Sequence, residues 1–477
     1  MPSVQKSLDR KLAAIHADPH GCREFIIADA KDADMALGIG APGKSPERHD
    51  GEVRLRTLAE YRQQIREIVA TELVDIMLMS ASTSELLTLH EGLFENSPVT
   101  PAGRANDTTD VHIFRGGRVH TSAALPFRTA TLDHLQCGHL DCEPAERPRG
   151  ANLGLYSVTY NNDTELDRLT LLEFNRFREE AERKQFRYFL EVFDPNVPEA
   201  VPSEQLAGFI NDAIVRTLAG VTQAGRPVFL KIVYHGPKAM EELVNYDPHL
   251  VVGVLGGSAG TTRDAFQLIH DTQKYGGKVA LFGRKINNAE CQLAFVQFLR
   301  LITDGVIGPE EAVRAYHAVL EKLNLKPNRP LDDDLRITSQ AMSYGGGSSS
   351  TVPAGVPTAI DPVATTSTAL PSGGLIGTPA AQESITRAAE ALGQIAPPVP
   401  SPAEQASTGS NGSPSAKPAV TNSPEKETAT AVAAPRNGSS PAQKYRTGGD
   451  EAPDFARMTP AERFAYHQAR LKRMFGN

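Results

Sequence analysis

The first three hundred residues alternate between short apolar runs and longer amphipathic segments. Continuous apolar runs are typical of strands that are buried on both faces, and their alternation with helical periodicity indicates parallel βα units. The strand candidates in chain order are FIIADA (25–30), LVDIMLMSA (73–81), SPVTPAGRAN (97–106), YSVTY (156–160), FRYFLEVF (186–193), PVFLKIVY (227–234), LVVGVLG (250–256) and KVALFG (278–283). The third of these is the weakest.

Amphipathic segments with helical spacing separate or follow these runs. They cover residues 52–72, 164–184, 203–224, 261–275, 288–304 and 309–324. Eight strands with intervening helices within residues 1–335 predict a (β/α)₈ TIM barrel. A doubly wound open sheet is the alternative, but it needs a glycine-rich phosphate loop after the first strand. Gly38, Gly40 and Gly43 have the GxGxxG spacing, but they come late, well after the predicted end of that strand at residue 30.

Two stretches fall outside the repeating βα pattern. Residues 111–148 interrupt it before the fourth strand, and VHIFRGGRVH within them predicts a hairpin with its turn at the two glycines. From residue 341 to 450 the chain is rich in Pro, Ser and Ala and poor in large apolar groups, which predicts a disordered tail.

The last segment, 455–477, predicts a short C-terminal helix. Thr459 followed by Pro460 is a good helix start, because the hydroxyl caps free N–H groups and proline fits the first turn. This helix either docks on a partner protein or on the barrel, or it is only weakly populated.

Bulk properties exclude several classes of function. The net charge of −8 disfavours a nucleic-acid partner, since phosphate binding requires a basic face. No apolar run is long enough to span a membrane, and MPSVQKSLDRKL lacks the apolar core of a signal peptide. Four cysteines in 477 residues are too few for a disulfide framework. The expected location is therefore the cytoplasm.

Three potential metal ligands lie together in the segment QCGHLDC. Cys137, His139 and Cys142 are all soft donors of the kind that zinc prefers. A structural zinc site usually takes four ligands, and the sequence shows no second Cys/His pair at metal-binding spacing. The alternative is a loop with free thiols, and we predict no metal.

Polar residues gather where the predicted strands end. The carboxyl ends of barrel strands meet in one mouth, so these side chains are expected to share a site. The first strand ends with Asp29, Lys31 and Asp32; later strands end with Arg104 and Asn106, with Tyr160, with Glu191 and Asp194, and with Lys231 and His235. Arg104 and Asn106 are predicted to bind substrate.

Lys231 is the most informative of these residues, because it interrupts the apolar strand FLKIVY. Burying an ammonium ion is costly, so this lysine needs a carboxylate partner or must lose its proton readily. A neutral lysine attacks carbonyl groups and forms a Schiff base. The alternative is a lysine paired with Glu191 for structure alone.

The loops after the seventh and eighth strands are the usual phosphate site of a barrel. The first loop contains Gly256, Gly257 and Ser258 and reaches a helix start at Thr261, where free N–H groups favour an anion. Gly283 and Arg284 follow the eighth strand, and the arginine could bind the same phosphate. The alternative is that the glycines only make tight turns.

Taken together, residues 20–305 resemble the class I (Schiff-base) aldolases, namely the bacterial and archaeal fructose-bisphosphate, tagatose-bisphosphate and deoxyribose-phosphate enzymes. Four local matches carry the resemblance. Lys231 is similar to the Schiff-base lysine on strand six, and Glu191 resembles the strand-five glutamate of the tagatose-bisphosphate enzymes. Asp29 resembles an aspartate near that lysine, and GGSAG with FGRKI resembles the paired phosphate loops, with Arg284 as their arginine.

The resemblance implies an activity and a set of partners. It implies imine formation on Lys231 with a phosphorylated ketose, proton transfer by Asp29, Glu191 or Tyr160, and no metal or cofactor. Barrel aldolases commonly form homo-oligomers. The segments ADAKDADM, RANDTTD and 111–148 depart from the family pattern, so the substrate is left open.

Two other functions fit the same sequence. One is a barrel phosphosugar isomerase or epimerase, in which Lys231 acts electrostatically and carboxylates move protons. The other is a non-catalytic scaffold whose tail recruits a partner protein.

Overall fold

The computed structural model of the chain describes residues 4–43, 55–109, 122–257 and 260–338. The predicted hairpin at 111–120, the tail at 341–450 and the C-terminal helix at 455–477 lie outside the described residues.

Eight parallel strands close into a barrel, and each strand pairs with its neighbours in chain order. Ile26 of the first strand lies opposite Val279 of the last, which closes the ring. The strands are β1 (Ile26–Lys31), β2 (Ile76–Met79), β3 (Thr100–Arg104), β4 (Leu153–Thr159), β5 (Arg187–Phe193), β6 (Leu230–Ile232), β7 (Val252–Leu255) and β8 (Val279–Phe282). The TIM-barrel prediction is confirmed, and the open sheet is excluded.

Every predicted strand overlaps an observed one, and only two observed strands extend beyond the predicted bounds. β1 runs one residue further, to Lys31, and β4 begins at Leu153, three residues before the predicted start at 156. Gly154 lies in that extension, where a Cβ would approach the Phe186 ring to 2.5 Å. A glycine weakens the sequence signal of a strand, which explains the late predicted start.

The helices surround the barrel. Their bounds are α1 (Ser7–Ala17), α2 (Asp34–Leu37), α3 (Leu58–Thr71), α4 (Ala81–Ser84), α5 (Leu132–Cys137), α6 (Thr164–Arg183), α7 (Leu206–Leu218), α8 (Pro237–Tyr246), α9 (Thr262–Lys274), α10 (Arg284–Asn287), α11 (Gln292–Thr303), α12 (Pro309–Lys322) and α13 (Leu331–Asp334). A π-helical turn at Glu85–His90 continues α4, and the short strands Asp107–Thr108 and Pro126–Phe127 pair antiparallel. All six predicted helices are present, and α1 and α8 are the helices of ten or more residues that were not predicted.

Local capping explains where the long helices begin. Thr57 and Glu60 form a capping box at the start of α3, in which each side chain bonds the other residue's backbone N–H. At the start of α6 the Asp163 carboxylate accepts hydrogen bonds from the N–H groups of Glu165 and Leu166. These side chains satisfy N–H groups that have no partner within the helix.

The apolar core has two layers, because strand side chains alternate between the two faces of the barrel wall. The inner layer contains side chains such as Ala28 and Phe229, and α1 closes its amino-terminal end with Leu8, Leu12 and Ile15. The outer layer packs the other strand faces against the surrounding helices. Each large side chain in these layers contributes about 1.5–3 kcal/mol through its burial.

An ion-pair network fixes α1 at the barrel base. The Asp75 carboxylate accepts hydrogen bonds from Lys11 Nζ and Arg300 Nη2, both at 2.9 Å, and from the Ile27 N–H. Burial alone would raise the pKa of Asp75, but Arg300 and Lys11 outweigh it and lower that pKa. The network joins α1, β1 and α11.

Among the helices of the described residues, none combines the length and the apolar composition that crossing a membrane requires.

Candidate active site

Glu191 and Lys231 face each other inside the barrel. They lie opposite each other in the pairing of β5 and β6. Each follows by two residues one of the stacked rings of Phe189 and Phe229. Lys231 Nζ lies 2.5 Å from Glu191 Oε1, and the two residues are 5% and 0% exposed. At this burial the carboxylate is the group that stabilises the ammonium ion, and it is also within reach to accept its proton.

The second oxygen of Glu191 belongs to a chain of polar contacts across the barrel. Ser157 Oγ donates to Glu191 Oε2 at 2.6 Å, and Arg104 Nη2 donates to Ser157 Oγ at 3.4 Å. Arg104 Nη1 lies 2.7 Å from Asp32 Oδ2. Burial by itself lowers the pKa of Arg104, but Asp32 and Glu191 raise it above its usual value. Arg104 is therefore a permanent cation between two carboxylates.

Asn106 fixes the position of Ser157 within this series of polar contacts. Its Oδ1 accepts from the Ser157 N–H at 2.7 Å, and its Nδ2 donates to the Ser157 carbonyl at 2.8 Å. Asn106 is fully buried. It thus positions Ser157, whereas the sequence predicted that it binds substrate.

A histidine and a carboxylate meet where β5 and β6 end. His235 Nε2 lies 2.8 Å from Asp194 Oδ1, and both side chains are largely buried. His235 follows Lys231 by four residues, so it lies further toward the mouth on the same side of the chain.

Apolar side chains cover the same end of the barrel. Phe193, Val233 and Leu255 form a small cluster, and Ala36 of α2 packs against it. Phe193 and Val233 each lie two residues beyond Glu191 and Lys231, at the next inward position. The buried ion pair is therefore shielded from bulk water.

The Asp29 side chain points away from the barrel interior, so its predicted position in the mouth is wrong. Its neighbours Ala28 and Ala30 face the interior, so Asp29 faces the helix layer. It lies 3.2 Å from Lys31 Nζ, and both residues are completely buried. Asp32, which was also predicted at the end of this strand, contacts Arg104 in the polar chain.

Lys31 connects this buried pair to the surrounding helices. Its ammonium group donates to Asn287 Oδ1 and, at 2.9 Å, to Gln292 Oε1, and it lies over the Tyr61 ring. Burial raises the pKa of Asp29 to about 6, against the opposing effect of Lys31. The cluster joins β1 to α3, α10 and α11.

The Tyr160 side chain also points away from the barrel interior, toward the helices, and this position corrects its predicted role in proton transfer. Its hydroxyl is 2.7 Å from Thr217 Oγ1 on α7, and its ring packs in the outer core layer. Burial raises the pKa of this phenol to about 12. The residue fastens α7 to the end of β4.

The Tyr160→Phe variant tests this structural role. We expect a loss of about 0.5–1.5 kcal/mol of stability from the missing hydrogen bond. Imine formation on Lys231, measured by borohydride trapping, should be unchanged. A tenfold or greater fall in trapping by a folded variant would show that Tyr160 takes part in the reaction.

The start of α9 differs from the predicted phosphate site. The N–H of Thr261 donates to Asp264, its hydroxyl donates to the Arg336 carbonyl, and the N–H of Thr262 donates to Asp334. Carboxylates of the chain itself thus occupy the donors that were predicted to bind a phosphate at Thr261.

The glycines of this loop are explained by packing and backbone geometry. A Cβ at Gly256 would lie 2.1 Å from the Phe282 ring, and Gly257 has a φ of +56°. A Cβ at Gly283 would lie 2.8 Å from the Ala30 carbonyl oxygen. Ser258 lies outside the described residues.

The loops after β7 and β8 nevertheless contact each other. Lys285 Nζ donates to the Gly260 carbonyl at 2.8 Å, and its neighbour Arg284 is largely buried. Burial, reinforced by Arg329, lowers the pKa of Lys285 to about 8. Two cationic residues thus follow β8.

Sequence reasoning did not single out Ser157. Serine in the run YSVTY gives no signal by itself, but its position opposite Glu191 in the register of β4 and β5 does. Once neighbouring strands are aligned, a small hydroxyl beside a buried carboxylate is a recognisable site residue.

No protein-family model matches the chain, and no curated protein matches it. Solved structures do show likeness. An archaeal fructose 1,6-bisphosphate aldolase has a TM-score of 0.44 at 14% identity, and covers 62% of this chain and 99% of its own. A Schiff-base-forming fructose-1,6-bisphosphate aldolase has a TM-score of 0.42 at 14% identity, with coverages of 62% and 100%.

A fructose-bisphosphate aldolase from Slackia heliotrinireducens has a TM-score of 0.46 at 12% identity, and covers 65% of this chain and 90% of its own. Likeness of this extent leaves the activity to be argued from the side chains. The barrel fold of this chain is given by its own strand pairing.

Proposed function

We propose that this protein is a class I aldolase-type lyase that forms a Schiff base with a phosphorylated ketose. The observation that carries the proposal is the contact between Lys231 Nζ and Glu191 Oε1, 2.5 Å apart inside the barrel. A buried lysine beside a single carboxylate has a built-in proton acceptor, which is what a nucleophilic amine requires.

The first step uses both members of this pair. Glu191 accepts a proton from the Lys231 ammonium, and the free amine attacks the ketose carbonyl carbon to form a carbinolamine. Glu191 then returns its proton to the departing hydroxyl. Water leaves, and a protonated imine remains on Lys231.

The protonated imine is the electron sink for carbon–carbon bond cleavage. A base removes the proton of the hydroxyl on the far carbon of the bond that breaks. That carbon leaves as an aldehyde, and the electron pair of the broken bond moves to the imine to give an enamine. His235, oriented by Asp194, is the second acid–base group that we assign to these proton transfers. Protonation of the enamine carbon and hydrolysis of the imine release the second product and restore Lys231.

The surroundings of the pair favour this chemistry. The apolar cluster of Phe193, Val233 and Leu255 limits water near the imine. Arg104 lies within the same polar chain and can balance charge that develops on Glu191. We assign the substrate phosphate to Arg284 and Lys285, at the meeting point of the last two loops.

Borohydride trapping tests the proposal. The protein is incubated with dihydroxyacetone phosphate or with a panel of ketose phosphates, and sodium borohydride then reduces any imine to a stable amine. We expect peptide mass spectrometry to find the adduct on Lys231. The Lys231→Met variant should lose it, while Lys278→Met, which removes a half-buried lysine at the barrel base, should keep it.

The absence of an adduct with every compound of the panel, in folded protein, would overturn the proposal. So would an adduct that persists in Lys231→Met. The first outcome would favour the isomerase or the scaffold interpretation of the same barrel, and the second would place the imine on another lysine.

A further inference from the structure

A second cluster of reactive side chains lies in the segment between β3 and β4. It is separate in sequence from the mouth residues of β5 and β6. Within the part of the chain that the structure describes, Cys137, Cys142 and Glu146 form the group able to hold a metal ion, with their ligand atoms all within 4.8 Å of one another. Both cysteines are buried and neither forms a disulfide. The carboxylate is the further ligand that the sequence pattern lacked.

His139 joins this group through Glu146. Its Nδ1 lies 2.8 Å from the Leu140 carbonyl, and its Nε2 lies 3.3 Å from Glu146 Oε1. A carbonyl oxygen only accepts, so Nδ1 carries a proton. Nε2 is then the ring nitrogen that can bind a metal ion, and it lies beside the Glu146 carboxylate.

We propose that Cys137, Cys142, His139 and Glu146 bind one zinc ion as a structural site. Two thiolates, an imidazole and a carboxylate are donors that zinc takes in tetrahedral coordination. The hydrogen bond from His139 Nδ1 to a backbone carbonyl is the outer contact that usually orients a zinc-binding histidine. Zinc replaces the thiol protons, and these are released to solvent on binding.

The backbone around the cluster is held in place before any metal binds. The Thr131 side chain caps α5, and Gly138 ends that helix with a φ of +88°. The N–H groups of Gly150 and Ala151 donate to the carbonyls of Gln136 and Leu135. The segment therefore turns back on α5, which brings Glu146 toward the two cysteines.

The position of the cluster indicates a role in stability. Gly150 and Ala151 lie shortly before β4, and Gln136 Nε2 donates to the carbonyl of Lys184, shortly before β5. Both contacts lie at the amino-terminal ends of their strands, opposite to the mouth. Residues at that end of a barrel serve stability, so the zinc site is separate from the proposed reaction.

Metal analysis of the purified full chain tests the site. We expect one zinc ion per chain by elemental mass spectrometry. Cobalt(II) added to chelator-treated protein should give the near-ultraviolet charge-transfer band of thiolate ligands and the intense visible bands of tetrahedral coordination. Zinc should also raise the melting temperature of the chelator-treated protein.

Variants separate this site from nonspecific binding. Cys142→Ser should lose the bound zinc and the charge-transfer band, and Glu146→Gln should weaken zinc binding at least tenfold. Cys291→Ser removes a half-buried cysteine elsewhere and should keep both signals. Circular dichroism establishes that each variant is folded, and the milder Glu146→Gln keeps the test informative if Cys142→Ser does not fold.

Three results would overturn the proposal. The first is protein without stoichiometric metal that shows no thiolate band with cobalt(II). The second is a Cys137–Cys142 disulfide in the native protein, found by mass spectrometry without reduction. The third is an equal loss of zinc in Cys291→Ser and Cys142→Ser. None of these results bears on imine formation at Lys231, so the two proposals fail independently.

Discussion

Replacing Glu191 by Gln is expected to slow imine formation on Lys231 by about 10²–10⁴-fold, the usual contribution of a positioned acid–base group. The amide would keep the size of the side chain and could still accept a hydrogen bond. It could not accept the lysine proton, and it would leave a buried ammonium without its carboxylate. Proton transfer from the lysine and to the departing hydroxyl would then have no positioned partner.

The measurement is the rate of borohydride-dependent labelling by dihydroxyacetone phosphate, or by whichever ketose phosphate of the panel labels best. Glu180→Gln is the matched control, since it makes the same change in a carboxylate on α6 that pairs with Arg128. Ser157→Ala, which removes one hydrogen bond to Glu191, should give a smaller decrease. A labelling rate in folded Glu191→Gln equal to that of the control would show that another group accepts the proton.

Replacing Lys31 by Met is expected to destabilise the protein by about 3–5 kcal/mol at neutral pH, the usual effect of breaking a buried ion pair. Removing one partner leaves the other charge uncompensated, and Asp29 is completely buried. The oxygens of Asn287 and Gln292 would lose their donor as well. Unfolding by urea, followed by circular dichroism, measures the loss.

This loss should depend on pH with a defined sign. Burial already raises the pKa of Asp29 to about 6, from an ordinary value of 3.8, although Lys31 opposes the increase. Without Lys31 the pKa of Asp29 in the folded protein rises further. At pH values between the pKa of Asp29 in the unfolded chain and its pKa in the folded protein, the folded protein then binds more protons than the unfolded chain. Stability therefore falls as the pH rises through this window, so the variant should lose less at pH 5 than at pH 8.

Two further variants make the comparison specific. Lys278→Met removes a half-buried lysine that donates to the Cys22 carbonyl, and its effect should not show this pH dependence. Combining Asp29→Asn with Lys31→Met should recover part of the stability, because the uncompensated charge is gone. An equal loss for Lys31→Met at both pH values would contradict a charged Asp29 as the source of the destabilisation.

The misplacements of Asp29 and Tyr160 share one physical origin. In FIIADAK both alternating sets of residues are compatible with burial, since a barrel strand is covered on both faces. Whether Asp29 or Asp32 reaches the mouth depends on one residue of register, which inverts every side chain of a strand. Tyr160 was misplaced for the same reason, and its partner Thr217 is far away in the chain.

Distant contacts explain the other differences. Thr261 has the sequence of a free helix start, but the Arg336 carbonyl accepts a hydrogen bond from its hydroxyl and Asp334 accepts one from the Thr262 N–H, both from more than seventy residues later. Glu146 had no recognisable metal spacing from Cys137 and Cys142. Only the turn after α5 brings it within ligand distance of them.

Local sequence patterns were sufficient to predict the barrel and its principal pair. Eight apolar runs with helices between them are compatible with few closed arrangements of strands. A lysine and a glutamate buried within neighbouring apolar strands must compensate each other's charge. Which polar residues join that pair became clear only in three dimensions. Strand register and long-range packing set the direction of each side chain, and neither is encoded in local composition.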